Sequence, residues 1–100
     1  MNELILVAED SRTQALLLKN LLQSHNFKVG IAEDGLKACD WFSENKPALV
    51  ISDIMMPEMN GYELCRQIKS NIATKDIPVI LLTSLSNPER NRSGIVFFHL

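Results

Sequence analysis

Cysteine is scarce in this chain: Cys39 and Cys65 are the only two in 100 residues. They have neither CxxC spacing nor a histidine beside them, which excludes a disulfide framework or a zinc site and leaves two reduced, buried thiols as the expectation. Long apolar runs are also missing. The longest, Leu4 to Ala8, falls far short of the ~20 residues needed to cross a bilayer. The opening Met1-Asn2-Glu3 has no basic segment of the kind that precedes a secretory signal, so a cytoplasmic protein is expected. Neither sign of charge dominates: 10 Lys and Arg stand against 12 Asp and Glu, for a net charge of −2. With no basic cluster to neutralise phosphates, nucleic acid is excluded as a direct partner. Repeats, low-complexity stretches and linkers are absent, and Gly61 belongs to no GxGxxG or Walker pattern, so no nucleotide cradle is expected. What remains is an ordinary composition, 46% hydrophobic, fit for one domain over residues 1–100 with one modest core.

Short aliphatic and β-branched runs punctuate the chain at Leu4–Ala8, Val29–Ala32, Leu49–Ser52 and Val79–Thr83. They are continuously apolar rather than alternating, as in parallel strands covered by helices on both faces. Helical patterns fill the gaps. Ser11 caps the first, whose Leu17, Leu18, Leu21 and Leu22 form one apolar stripe and which ends near Asn26. A second starts about Gly35, buries Ala38, Cys39 and Phe42, and stops before Lys46-Pro47. The third covers Gly61 to Ser70 with Leu64, Cys65 and Ile68 inward. The alternation predicts an α/β fold: a doubly wound parallel sheet with helices on both faces. After residue 88 the pattern breaks. Residues 88–93 offer no apolar face for a helix, and the strand-like run Ile95–Leu100 has no helix after it, so the last βα unit reads as incomplete.

Ligands of an open parallel sheet bind beyond the carboxyl ends of its strands. Here those ends carry Glu9 and Asp10, then Asp53, then Thr83 and Ser84. Three carboxylates meeting at one sheet edge repel by roughly 4 kcal/mol per pair at ~4 Å and an effective dielectric near 20, unless a proton or a cation intervenes. Oxygen donors without cysteine or histidine select Mg²⁺ or Mn²⁺, and Mg²⁺ leaves a position for a phosphoryl oxygen.

Three segments then carry a resemblance: Val7-Ala8-Glu9-Asp10-Ser11; Ser52 through Gly61, with Pro57 and Gly61 four and eight residues after Asp53; and Pro78 through Ser84. Over residues 3 to about 88 the chain resembles the receiver domain of two-component response regulators, with residues 89–100 as an atypical tail. The resemblance implies a flavodoxin-like receiver fold and a signalling domain rather than an enzyme. It implies that Asp53 accepts a phosphoryl group from a histidine kinase or histidine phosphotransfer protein. It further implies Mg²⁺ held by Glu9, Asp10, Asp53 and the Met55 backbone carbonyl, with the Thr83 hydroxyl contacting the phosphoryl group. Met55 and Leu85 occupy the two positions that flank that group in the family; both are apolar, so slow hydrolysis is expected. His25 reads as a helix-end residue, and Met55, Met56 and Met59 as loop packing.

The departures are equally specific. The family's fifth strand ends in a lysine that neutralises phosphoryl charge, and no lysine follows Lys75. The aromatic switch residue and the final helix are unmatched as well, as in a receiver truncated or frameshifted near residue 90. A second reading is therefore kept, a non-switching receiver fragment that serves as a protein interaction module. An aspartyl phosphatase would want an acid two residues after Asp53, where Met55 stands. Finally, residues 84–93 are short for a helical crossover, so Ile95–Leu100 is expected not to reach its own fourth strand. A homodimer or swapped oligomer through the fourth-strand edge and the tail follows from that expectation.

Overall fold

The computed structural model describes residues 3–84 and 93–98, with side chains over residues 3–82. Four strands are where continuous apolar runs placed them: β1 (Leu4–Ala8), β2 (Lys28–Ala32), β3 (Leu49–Asp53) and β4 (Val79–Ser84). They pair in parallel, β2 with β1, β1 with β3 and β3 with β4. A fifth strand, β5 (Ser93–Phe98), completes the order β2-β1-β3-β4-β5.

Three helices make the crossovers. Helix α1 (Arg12–Ser24) lies on one face, where Leu18 and Leu22 pack with Ile5, Val7 and Ile51. Helices α2 (Gly35–Trp41) and α3 (Gly61–Ser70) cover the other, over a cluster that includes Leu6, Val50, Val79 and Leu81. The four parallel strands with helices on both faces are the doubly wound arrangement that the alternation predicts, to which β5 is added. The inward residues of α3, Leu64, Cys65 and Ile68, are all buried as expected.

Helix ends follow local chemistry. Ser11, Asp34 and Asn60 each accept a backbone N–H of the first turn they cap, and Asn60 forms a reciprocal capping box with Glu63. Helix α1 stops in a Schellman motif: Asn26 at φ 69° lets its own N–H reach Gln23 O and that of Phe27 reach Leu22 O. Helix α2 ends at Trp41, well before Pro47; the N–H groups of Phe42, Ser43 and Asn45 fold back on α2 carbonyls in successive turns.

Two expectations are corrected. The α1 stripe is half as wide as its four leucines suggest, because Leu17 and Leu21 are 65% and 56% exposed. At 100° per residue, Leu18 and Leu22 can face the sheet only if Leu17 and Leu21 turn toward its flank. The second correction concerns the fourth-strand edge and the tail. β5 reaches β4 within the same chain and pairs antiparallel, Val79 opposite Phe98 and Ser84 opposite Ser93. The expectation of an open edge assumed a parallel return, which needs a dozen or more residues; an antiparallel return needs only a loop. The fourth-strand edge is therefore occupied within the chain rather than open. Residues 85–92, where the helical pattern breaks off, lie outside the described residues.

Candidate functional site

The sheet reverses its winding between β1 and β3, and the crevice at their carboxyl ends is where the topology leaves room for a ligand. Glu9 and Asp10 follow β1 directly, and Asp53 is the last residue of β3. Their carboxylate oxygens lie within 4.8 Å of one another. Glu9 and Asp53 are buried and Asp10 is exposed, so the cluster has one wet member and two dry ones. Among the described residues the one ion pair is Lys37–Glu33, and none engages these three acids.

Electrostatics follow from that geometry. Burial pushes the Glu9 carboxyl up to about 7; the Ser11 N–H, 3.0 Å from Oε2, opposes this, and the nearby Asp53 and Asp10 carboxyls add to it. Burial likewise raises Asp53. The N–H groups of Met55 and Ile54 and a hydrogen bond from Glu9 hold it down, while the Asp10 charge raises it. Of the two buried carboxyls, Glu9 is thus the one driven toward its protonated form, since the hydrogen bond between them raises Glu9 and lowers Asp53. An all-oxygen set of three acids, two of them desolvated and short of positive charge, fits a hard divalent cation such as Mg²⁺.

The loop after Asp53 is held by backbone contacts. Ile54 N–H donates to Leu82 O at 3.0 Å, and Gly61 N–H donates to Ile54 O at 2.9 Å. A Cβ on Gly61 would collide with the Asp53 carbonyl oxygen, so this position accepts only glycine if α3 is to start against the strand end. Between them, Met59 N–H reaches Pro57 O at 2.7 Å across Glu58 at φ 69°, a γ-turn of the strained, positive-φ kind. Sequence reasoning missed that turn, since glutamate is not a residue that signals it. The buried hydroxyl of Ser52, which donates to the Asp53 carbonyl at 2.9 Å, also carried no sequence signal.

Other expected residues divide. The Met55 N–H lies 3.4 Å from Asp53 Oδ1, but its side chain is 73% exposed rather than packed. Met56 and Met59 do pack against the core of the α2 and α3 face. His25 caps α1 at its carboxyl end, Nδ1 3.0 Å from Leu21 O, away from the acids. Both cysteines are free, Cys65 buried and Cys39 partly so, and burial raises both thiols. Thr83 ends up beside Gly94 in the β4–β5 register, its side chain outside the description, and Leu85 lies outside the described residues.

Known proteins agree with this picture. A family model described as the response regulator receiver domain matches residues 5–96. Over 83 residues the chain is 47% identical to "Histidine kinase P4" of Formosa agariphila, which covers 83% of this chain and 6% of that protein. It is 34% identical over 91 residues to "Response regulator MprA" of Mycobacterium sp. strain KMS, covering 91% of this chain and 39% of that one. The chain thus spans a small part of the first and well under half of the second. Among solved structures, the signal receiver domain of a signal transduction histidine kinase from Syntrophus aciditrophicus superposes with a TM-score of 0.80 at 45% identity, covering 87% of this chain and 66% of that one. The chemotaxis response regulator CheY4 of Vibrio cholerae gives 0.81 at 27% identity, over 90% and 75%. With the fold, the acidic crevice and the family match all falling on the same residues, the chain belongs to the response regulator receiver domain family.

Proposed function

We propose that the chain is a phosphoacceptor: Asp53 takes a phosphoryl group from a histidine kinase or histidine phosphotransfer protein in a two-component relay in the cytoplasm. The observation that carries the reading is the meeting of Glu9, Asp10 and Asp53 within 4.8 Å at the ends of β1 and β3. In this reading Glu9, Asp10, Asp53 and the Met55 carbonyl would hold Mg²⁺, which when bound would offset the charge of the carboxylates and of an incoming phosphoryl oxygen. Asp53, clamped through Ile54 and Gly61, presents its carboxylate oxygen to phosphorus as the donor's P–N bond breaks, and the imidazole leaves. The Thr83 hydroxyl donates to a phosphoryl oxygen. The kinase named among the relatives supports a histidine donor.

Exposure to an acyl phosphate with Mg²⁺ should label Asp53, as read by peptide mapping. The Asp53→Asn variant should lose the label and most of its Mg²⁺ affinity. A label at another residue, or an undiminished label in that variant, overturns the assignment.

One observation favours the second reading, a non-switching interaction module. Because β5 runs antiparallel, it brings its first residues, Ser93 and Gly94, beside Ser84 and Thr83 at the site end of the sheet. Neither is a cation. Unchanged partner binding after full labelling of Asp53 would establish that reading; a changed affinity would exclude it.

A further inference from the structure

Strand β2 ends the sheet, and among the described residues no strand pairs with its outer side. Its hydrogen-bonding phase is fixed by the inner side: Lys28 N–H donates to Glu3 O, and Glu9 N–H donates to Ala32 O, both at 2.9 Å. Residues 28, 30 and 32 therefore face β1, and the N–H and C=O groups of Val29 and Ile31 face outward. The usual protections of an edge are thin here, with Lys28 the one charge inside the strand and no proline or bulge.

The edge is flanked on both faces by clefts. On the α1 face, a cleft of about 340 Å³ runs from Ile31 and Leu16 to Glu33 and Asp10, with Arg12 the one cation beside the three acids Glu9, Asp10 and Glu33 that line it. On the α2 face, one of about 480 Å³ is bounded by Trp41, Asp40 and Glu44. Trp41 packs over Gly30 so closely that a Cβ there would be 2.6 Å from its ring, which sets the half-buried indole along the α2 side of the edge. Lys37 is already engaged by Glu33 at 3.2 Å, whereas Asp40 and Glu44 have no ion pair among the described residues.

We propose that the β2 edge is a docking site for an extended basic segment of a partner protein, added as a sixth strand. Main-chain bonds to Val29 and Ile31 would hold it, and its side chains would alternate between the clefts. Those beside Gly30 and Ala32 reach the α2 face, where a lysine or arginine lays its aliphatic stem along Trp41 and its charge near Asp40 and Glu44. The charge of the clefts selects this occupant over a second copy of the chain, which would bring the same acids to the same edge. The inference stands independently of any chemistry at Asp53.

The test uses a fluorescently labelled nonapeptide of alternating lysine and valine with the full chain. Fluorescence anisotropy should report binding that weakens with added salt. Replacing alternate residues of the peptide by proline, or its lysines by glutamate, should weaken binding at least tenfold. The double variant Asp40→Lys with Glu44→Lys should also lose at least tenfold. Amide exchange at Val29 and Ile31 should slow when the peptide is bound. Equal binding of the proline peptide, or unchanged exchange at both amides, would show mere charge attraction and overturn the proposal. Sedimentation showing the unliganded chain paired through β2 would overturn it in favour of a second copy.

Discussion

The two faces of the sheet are built unequally. Under α2 and α3 lies a dozen buried residues, from Leu6 and Val50 to Leu64, Ile68 and Leu81, with Trp41, Phe42 and two methionines sealing its border. Under α1 lie three, Ile5, Val7 and Ile51, with Leu18, Leu22, Ile80 and Leu82 only half-covered. Among the described residues, one helix roofs this face and two roof the other. The loop that holds Asp53 leans on the thick face, since Gly61 opens α3 and Met56 and Met59 pack into its core. Of the thin face, Leu82 reaches that loop through its backbone carbonyl, which accepts from Ile54 N–H.

The largest expected effect breaks the comparison at its strong side. Leu64→Ala, at a fully buried position, should cost about 3 kcal/mol in urea unfolding, while Leu21→Gln on the outer flank of α1 should stay within about 0.5 kcal/mol. Equal losses would mean that the α1 flank is covered in solution.

The next effect probes the seam between the faces, where Glu9 and Asp53 end strands common to both. A carboxyl raised from 4.5 to about 7 in the folded chain binds a proton that the unfolded chain has released. Its contribution is therefore complete below pH 4.5 and is lost as pH rises toward 7. Without Mg²⁺, stability should fall on the order of 2 kcal/mol across that window, and Glu9→Gln should flatten the slope. Millimolar Mg²⁺ should flatten it too. A slope that survives Glu9→Gln would place the proton elsewhere.

The smallest effect concerns strain borne by the thick face. Glu58→Gly relieves a positive-φ side chain at the γ-turn and should raise the unfolding free energy in urea by about 0.5–1 kcal/mol, more than Asn26→Gly in the α1 cap, where asparagine already tolerates φ 69°. A larger gain at Asn26 would contradict the assignment of strain to the loop after Asp53.

Four strands, α3 and the acidic crevice were legible because their signals are local and chemical. Unbroken apolar runs mark strands buried on both faces, and acids directly after two such runs must meet where a parallel sheet brings its carboxyl ends together. The direction of β5 was not legible, because Ile95, Val96, Phe97 and Phe98 suit a strand of either polarity and only the connection chooses between them. The inward half of the α1 stripe was visible, but the outward turn of Leu17 and Leu21 was not, since a leucine pair carries no mark of which neighbour will cover it. Gly61 could be read as punctuation; only the Asp53 carbonyl beneath it explains why nothing larger fits.

The antiparallel return of β5 also bears on the order in which the chain assembles. Each parallel pairing must wait for a helix-containing crossover to close, whereas β4 and β5 are joined through residues 85–92 alone. A hairpin of this kind closes in about 1–10 μs, faster than non-local pairings form. The carboxyl-terminal ribbon can thus be in place as a template before β3 arrives, so that the strand carrying Asp53 docks onto a β4 whose opposite side is already satisfied.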